Sequence, residues 1–238
     1  MKKETIILIC AKGNSKGLKK KNLRTFNKKK LLIHAIDKVK KIGFQNICIS
    51  SESNEIINQA EKAGINVFFK RSKYLSRSNT SKLDVWKDAI KKSEIHFQKK
   101  FKYMLDIDLT NPLLNSKDLK DFLKSFERLK NQFDGQFVIA ESRKNPYFNI
   151  LRKINNGYEV CIKSNKIFSR QKAPKTFDHV AGFYIFKTKY ILKCNWYNYL
   201  SKKIKGYKVP FYKTIDIDTL NDLKLSELIF KNIKSFYD

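Results

Sequence analysis

A chain of 238 residues with 42% hydrophobic content can bury one substantial core, and 4 Pro with 8 Gly mark no clean linker between two independent units. Lys and Arg number 51 against 22 Asp and Glu, a formal charge of +29, yet no RNA-recognition, helix-turn-helix or zinc-finger pattern accompanies them. Four scattered cysteines and three scattered histidines show no metal-ligand spacing, and no apolar run approaches membrane-spanning length.

The first element is an apolar run of strand length, Ile6-Ile7-Leu8-Ile9-Cys10-Ala11. It passes abruptly into Lys12-Gly13-Asn14-Ser15-Lys16-Gly17-Leu18 and a lysine-rich stretch ending at Lys30. The run is too short for the core of a signal peptide, so a cytoplasmic protein is expected. Leu31, Leu32, Ala35, Ile36, Val39 and Ile42 then repeat at helical spacing until Gly43. Residues 46–50 read as a second strand, and Asn54 as the cap of a helix stopped by Gly64. Residues 66–69 read as a third strand. Ser81 caps a helix bearing Leu83, Val85, Trp86, Ala89 and Ile90, and residues 101–107 form a buried strand ending in Asp106 and Asp108. Ser116 caps the next helix, and residues 136–140 form another strand.

Strand and helix alternate to this point, which predicts an α/β fold with a doubly wound, mostly parallel sheet. Between residues 143 and 189 the rhythm changes. Asn155-Asn156-Gly157 reads as a hairpin turn, so this stretch is expected to be a small antiparallel excursion from a single domain spanning 1–238. The chain returns through a strand at 182–186, a short helix and a strand at 207–209. A last helix opens at Thr219, with Asp222 placed for a capping box.

Two places carry chemistry. In the first loop, Gly13 and Gly17 let the backbone approach an anion, and Lys12, Lys16 and Lys21 supply point charges for a polyphosphate. The spacing is neither that of a P-loop nor that of a dinucleotide fingerprint. Near the other end, Asp216 and Asp218 alternate with Ile215 and Ile217. An extended segment therefore turns both carboxylates to one side and both isoleucines to the other. Such a pair suits Mg²⁺ shared with phosphates; the competing reading is a helix cap at Asp218-Thr219 with Asp216 solvated.

The loop motif with Lys21-Asn22-Leu23-Arg24 resembles the amino-terminal signature of the acylneuraminate cytidylyltransferase family, the CMP-sialic acid synthetases and their relatives. Asp106-Ile107-Asp108-Leu109-Thr110-Asn111-Pro112-Leu113 is similar to its mid-chain Pro-Thr-Ser-Pro-Leu element, Arg170-Gln171-Lys172-Ala173-Pro174 to its Arg-Gln-x-x-Pro element, and Thr214-Ile215-Asp216-Ile217-Asp218-Thr219 to its carboxy-terminal signature. The resemblance implies a Rossmann-like nucleotidyltransferase fold, with CMP transferred from CTP to the hydroxyl of a nonulosonic acid and pyrophosphate released. It implies Mg²⁺ on Asp216 and Asp218, and a homodimer formed through residues 143–189. Lys12, Gly13, Asn14, Ser15, Lys16 and Asn22 are the implied nucleotide clamp, and Lys21 the implied stabiliser of the transferring phosphoryl. Arg71 matches a family arginine near the cytosine, against a competing reading as a structural brace. Asp108, Arg170, Gln171 and Tyr184 match sugar-side positions. Lys12 stands where many members have Arg, Asp108 where Gln is common and Val180 where Asn is common. An acidic Asp108 would contact sugar hydroxyls, bind metal or accept a proton, and would repel a sugar carboxylate. Two other readings stay open. One is a nucleotidyltransferase of the same fold for another sugar acid or sugar phosphate, such as 3-deoxy-octulosonic acid. The other is a basic nucleic-acid-binding protein. Neither a membrane nor a specific nucleic acid is expected as a partner.

Overall fold

The computed structural model describes residues 1–14 and 17–232. The chain begins with β1 (Thr5–Cys10), a two-strand hairpin of β2 (Thr25–Phe26) and β3 (Lys29–Lys30), then α1 (Leu31–Ile42), β4 (Ile47–Ser50), α2 (Asn54–Lys62) and α3 (Lys82–His96). It continues with β5 (Tyr103–Ile107), α4 (Ser116–Leu129), β6 (Gly135–Glu141) and a second hairpin of β7 (Leu151–Ile154) and β8 (Gly157–Val160). β9 (Phe177–Lys187), α5 (Thr188–Lys193), β10 (Ile204–Lys208) and α6 (Leu220–Lys231) complete it.

Six strands form the main sheet in the order β10–β6–β9–β5–β1–β4. β4, β1 and β5 run parallel, as do β10 and β6, while β9 is antiparallel to both β5 and β6. The sheet is thus mostly parallel and clothed by helices on two faces, as the alternation predicted. Both faces being covered explains why β1 and β5 read as continuous apolar runs. Ile7, Ile9, Leu105 and Ile107 pack with Leu32, Ile36, Phe122 and Phe126 from α1 and α4. Ile6, Leu8, Met104 and Phe186 point the other way, onto Trp86, Ala89 and Ile90 of α3.

The structure corrects several local expectations. Residues 66–69 form no strand. Phe68 instead stacks on His96 with ring centroids 4.1 Å apart and packs against Phe97, covering the end of α3. Only the Arg71 amide reaches the end of β4, donating to the Ser51 carbonyl, and β4 stays the sheet edge. α2 is capped by Ser53, and α4 by Asn115 in a capping box with Asp118, each one residue before the predicted cap. The β2–β3 hairpin was not anticipated. Its turn residues Asn27 and Lys28 both have positive φ, the geometry that suits a two-residue hairpin, but without the glycine that signals it in sequence. The β7–β8 hairpin lies where Asn155-Asn156-Gly157 placed it, pairing Ile154 with Gly157.

Candidate active site at the carboxyl edge of the sheet

Parallel strands deliver their carboxyl ends to one side of the sheet, where open α/β folds bind ligands. Here β1 ends at Cys10 and β5 leads to Asp108, and the gap above them is a cleft of about 570 Å³. Its walls bring together the two regions that carried chemistry in the sequence. Lys12, Asn14, Gly17, Lys21 and Asn22 come from the first loop, Asp216 and Asp218 from the segment before α6. Asp108, Thr110, Tyr184 and Lys82 supply the side nearer β9 and α3. A groove of about 670 Å³ between α1 and α4 is larger, but it holds none of the predicted residues; chemistry, not size, selects the cleft.

The loop and the acidic segment are joined through their backbones. Leu18 N–H donates to the Asp218 carbonyl at 3.0 Å, and a Cβ on Gly17 would lie 2.6 Å from that same oxygen. Gly17 therefore permits the contact that sets the distance between the two halves. Across it, Lys21 Nζ donates to Asp218 Oδ1 at 2.7 Å. Asn22, buried, donates from Nδ2 to the Lys12 carbonyl at 2.8 Å and holds the loop's return. The acidic segment is seated by Ile217, fully buried, whose amide donates to the Thr110 carbonyl at 2.9 Å. Ile215 packs partly buried against the same core, so both isoleucines lie inward as the alternation required.

Asp216 lines the cleft, and its Oδ1 is buried without a hydrogen-bond partner. Burial raises its pKa, reinforced by Asp218 and Asp108 and opposed by Thr110 and Lys21. A buried, unpartnered carboxylate oxygen beside a second carboxylate is a donor set suited to a hard cation, and Mg²⁺ fits it. Among the described residues no group of three His, Cys, Asp or Glu converges on one point, so Asp216 and Asp218 stand there without a third such ligand. Remaining ligands would come from water or phosphate oxygens.

Gly13 and Arg71 form a layer behind the cleft. Gly13 N–H donates to Glu52 Oε1 at 2.8 Å, and Arg71 reaches Glu52 Oε2 at 2.7 Å and the Ala11 carbonyl at 3.4 Å. Burial alone would raise the Glu52 pKa, but Arg71 and the Gly13 amide outweigh it and hold the carboxylate low. Arg71 is itself almost fully buried, and its contacts brace the loop from below. Arg170 and Gln171 sit exposed in a short turn of the excursion and do not line the cleft. Ser15 and Lys16 lie outside the described residues.

Lys82, the first residue of α3, was not among the expected site residues. Its ammonium lies 2.8 Å from Asp106 and 2.7 Å from Asp108, and 4.2 Å from the centroid of the Tyr184 ring. Burial works to lower its pKa, but the two carboxylates override that and raise it well above the lysine norm. Asp106, almost fully buried, is raised by burial and by Asp108 despite Lys82. The only signal available was the spacing Asp106-x-Asp108, which asks for a cation without saying which.

The family model for cytidylyltransferases matches residues 6–236. Post-translational flagellin modification protein B of Campylobacter coli is 34% identical over 96% of this chain and 95% of its own length. The CMP-N,N'-diacetyllegionaminic acid synthase of Campylobacter jejuni is 36% identical over 95% of this chain and 94% of its own. The fold is similar to a CMP:2-keto-3-deoxy-manno-octonic acid synthetase complexed with CTP, at 13% identity and a TM-score of 0.65 over 97% of this chain and 99% of that one. A loop signature, an acidic signature and a shared fold spanning the whole chain thus agree, and the chain belongs to the cytidylyltransferase family.

Proposed function

We propose that the protein transfers CMP from CTP to the hydroxyl of a nonulosonic acid, most simply one of the legionaminic type, and releases pyrophosphate. The observation that carries this reading is the meeting of Lys21 with Asp216 and Asp218 in one cleft, from opposite ends of the chain. The relative of 36% identity supports the choice of acceptor. A bond forms between the sugar oxygen and the α-phosphorus, the bond from that phosphorus to the β-phosphate bridge breaks, and the hydroxyl proton passes to water or to a carboxylate of the cleft. The protein's part is in-line positioning and neutralisation of charge. Lys12 and Lys21 draw the phosphates onto the loop, and Lys21 exchanges Asp218 for a phosphoryl oxygen. Asp216 and Asp218 would hold Mg²⁺, which supplies positive charge to the triphosphate. Asp108 and Tyr184 offer an acceptor and a donor to the sugar hydroxyls.

The β7–β8 excursion carries Leu151, Tyr158 and Phe168 exposed, apolar surface of the kind that a second copy covers. Arg170 and Gln171 are exposed on the same stretch, so a homodimer built there would place them near its interface. No helix among the described residues is long and apolar enough to cross a membrane, and because CTP is an intracellular nucleotide we assign the reaction to the cytoplasm. The test is pyrophosphate release with CTP, Mg²⁺ and a panel of N,N'-diacetyllegionaminic, pseudaminic, N-acetylneuraminic and 3-deoxy-octulosonic acids. Fastest turnover is expected with the legionaminic acid. Folded protein that releases pyrophosphate with none of them overturns the reading.

A further inference from the structure

Sialic, legionaminic, pseudaminic and 3-deoxy-octulosonic acids are all anions, yet the acceptor side of the cleft is built on acids. Asp108 faces the cleft beside Tyr184, and Asp216 and Asp218 stand across from it. Of the cations, Lys21 pairs with Asp218 and is the one assigned to the phosphoryl, and Lys12 belongs to the loop side. Lys82 alone among the described lysines reaches the Asp108 carboxylate, at 2.7 Å. It is anchored from behind by Asp106 at 2.8 Å, a carboxylate buried at the end of β5. Its stem rises from the first residue of α3, just past the Ser81 cap, and its ammonium rests against the faces of Tyr184 and Trp86 at 4.2 and 5.4 Å. Two salt bridges and two aromatic faces fix one ammonium in one place.

We infer that Lys82 is a specificity-determining residue: held by Asp106 and the two aromatic rings, its ammonium masks Asp108 so that an anionic sugar can dock against a wall that would otherwise repel it. Asp106 is the anchor, and its substitution by a larger or apolar residue would release the lysine. The inference rests on the acceptor being a sugar acid.

Lys82→Met, Lys82→Arg and Lys82→Met/Asp108→Asn are compared by steady-state kinetics with CTP and N,N'-diacetyllegionaminic acid. Lys82→Met is expected to raise the KM for the acid about tenfold, an effect that added salt narrows, while the KM for CTP moves less than about twofold. Lys82→Arg keeps the acid KM within about threefold of wild type, because the charge remains. Removing Asp108's charge in the double variant brings the acid KM back toward wild type, which a merely structural lysine would not do. Should Lys82→Met fail to fold with Asp106 left bare, the same measurements are made in Lys82→Met/Asp106→Asn, with and without Asp108→Asn. Equal shifts in both KM values, or a double variant worse than the single, overturn the inference alone. A wild-type protein that turns over none of the sugar acids overturns the activity and the inference together.

Discussion

The pair Lys21–Asp218 separates what a contact does for stability from what it does for chemistry. Asp218's side chain is 68% exposed, so the ion pair adds only about 0–1 kcal/mol to folding. Lys21→Ala should therefore leave the melting temperature nearly unchanged, while kcat falls about a hundredfold or more because a donor to the transferring phosphoryl is lost. Thermal melts beside single-turnover kinetics check both halves, and wild-type turnover would remove Lys21 from the centre. Asp216 makes the opposite case. Its folded pKa is raised, first by burial, so the native state holds a proton that the unfolded chain has already released. Stability is then lost as pH rises from the ordinary carboxylate range through the raised value, and the cost persists above it. Asp216→Asn should melt above wild type at pH 8 without metal, with the gap closing as pH falls below that range. Mg²⁺ with CTP should stabilise wild type but not the variant. Melting curves across a pH series decide it, and a wild type more stable than the variant at pH 8 without ligand contradicts the assignment.

At the scale of elements, the loop after β1 is held from beneath by the start of α2. Glu52 takes the Gly13 amide, and Arg71 crosses from the segment after α2 to grip Glu52, while Ser76 Oγ adds a bond at 3.1 Å. Arg71→Met removes the charge partner of a partly buried carboxylate that keeps the Gly13 and Ser76 bonds, and should cost about 1–3 kcal/mol. Arg71→Met/Glu52→Gln, which removes both charges, should cost clearly less. Denaturant titration of the singles and the double measures the coupling, and simple additivity contradicts the brace. This also shows what the sequence could and could not convey. Periodicity placed α1, α3, α4 and the inner strands β1 and β5 among others, because burial on a sheet face imposes a pattern on consecutive residues. The loop and the Asp216-x-Asp218 segment were legible as chemistry because glycine and like-charged pairs are costly without a purpose. The use of Phe68, the partner of Arg71 and the clamp on Lys82 were not legible. Each depends on which distant side chain arrives, and Phe68 in an apolar run reads the same whether it pairs in a sheet or stacks on His96. Register was equally hidden: nothing in residues 177–187 announces that β9 inserts antiparallel between β5 and β6.

At the scale of the whole molecule, a charge of +29 sets solubility and the reach of the field rather than the fold, and repulsion between two such chains must be overcome wherever they associate. The exposed apolar surface of the β7–β8 excursion is the place where association would be worth that cost, and Arg170 and Gln171 ride on the same stretch. If the proposed homodimer forms through this surface, light scattering should read a dimer for wild type and a monomer for Leu151→Glu/Tyr158→Glu, with CTP still binding in the cleft. Whether the excursion also serves the neighbouring copy is decided by mixing two inactive variants. Arg170→Ala removes one cation of the excursion, and Lys21→Ala removes one of the loop. If Arg170 acts across the interface, a heterodimer has one cleft with Lys21 from one chain and Arg170 from the other, and a second cleft with neither. Half of randomly reassorted dimers are mixed and half of their clefts are whole, so activity should return to about a quarter of wild type. If Arg170 acts within its own chain, every cleft in every mixture lacks one of the two cations and no activity returns. The recovered fraction therefore measures directly whose cleft the excursion completes.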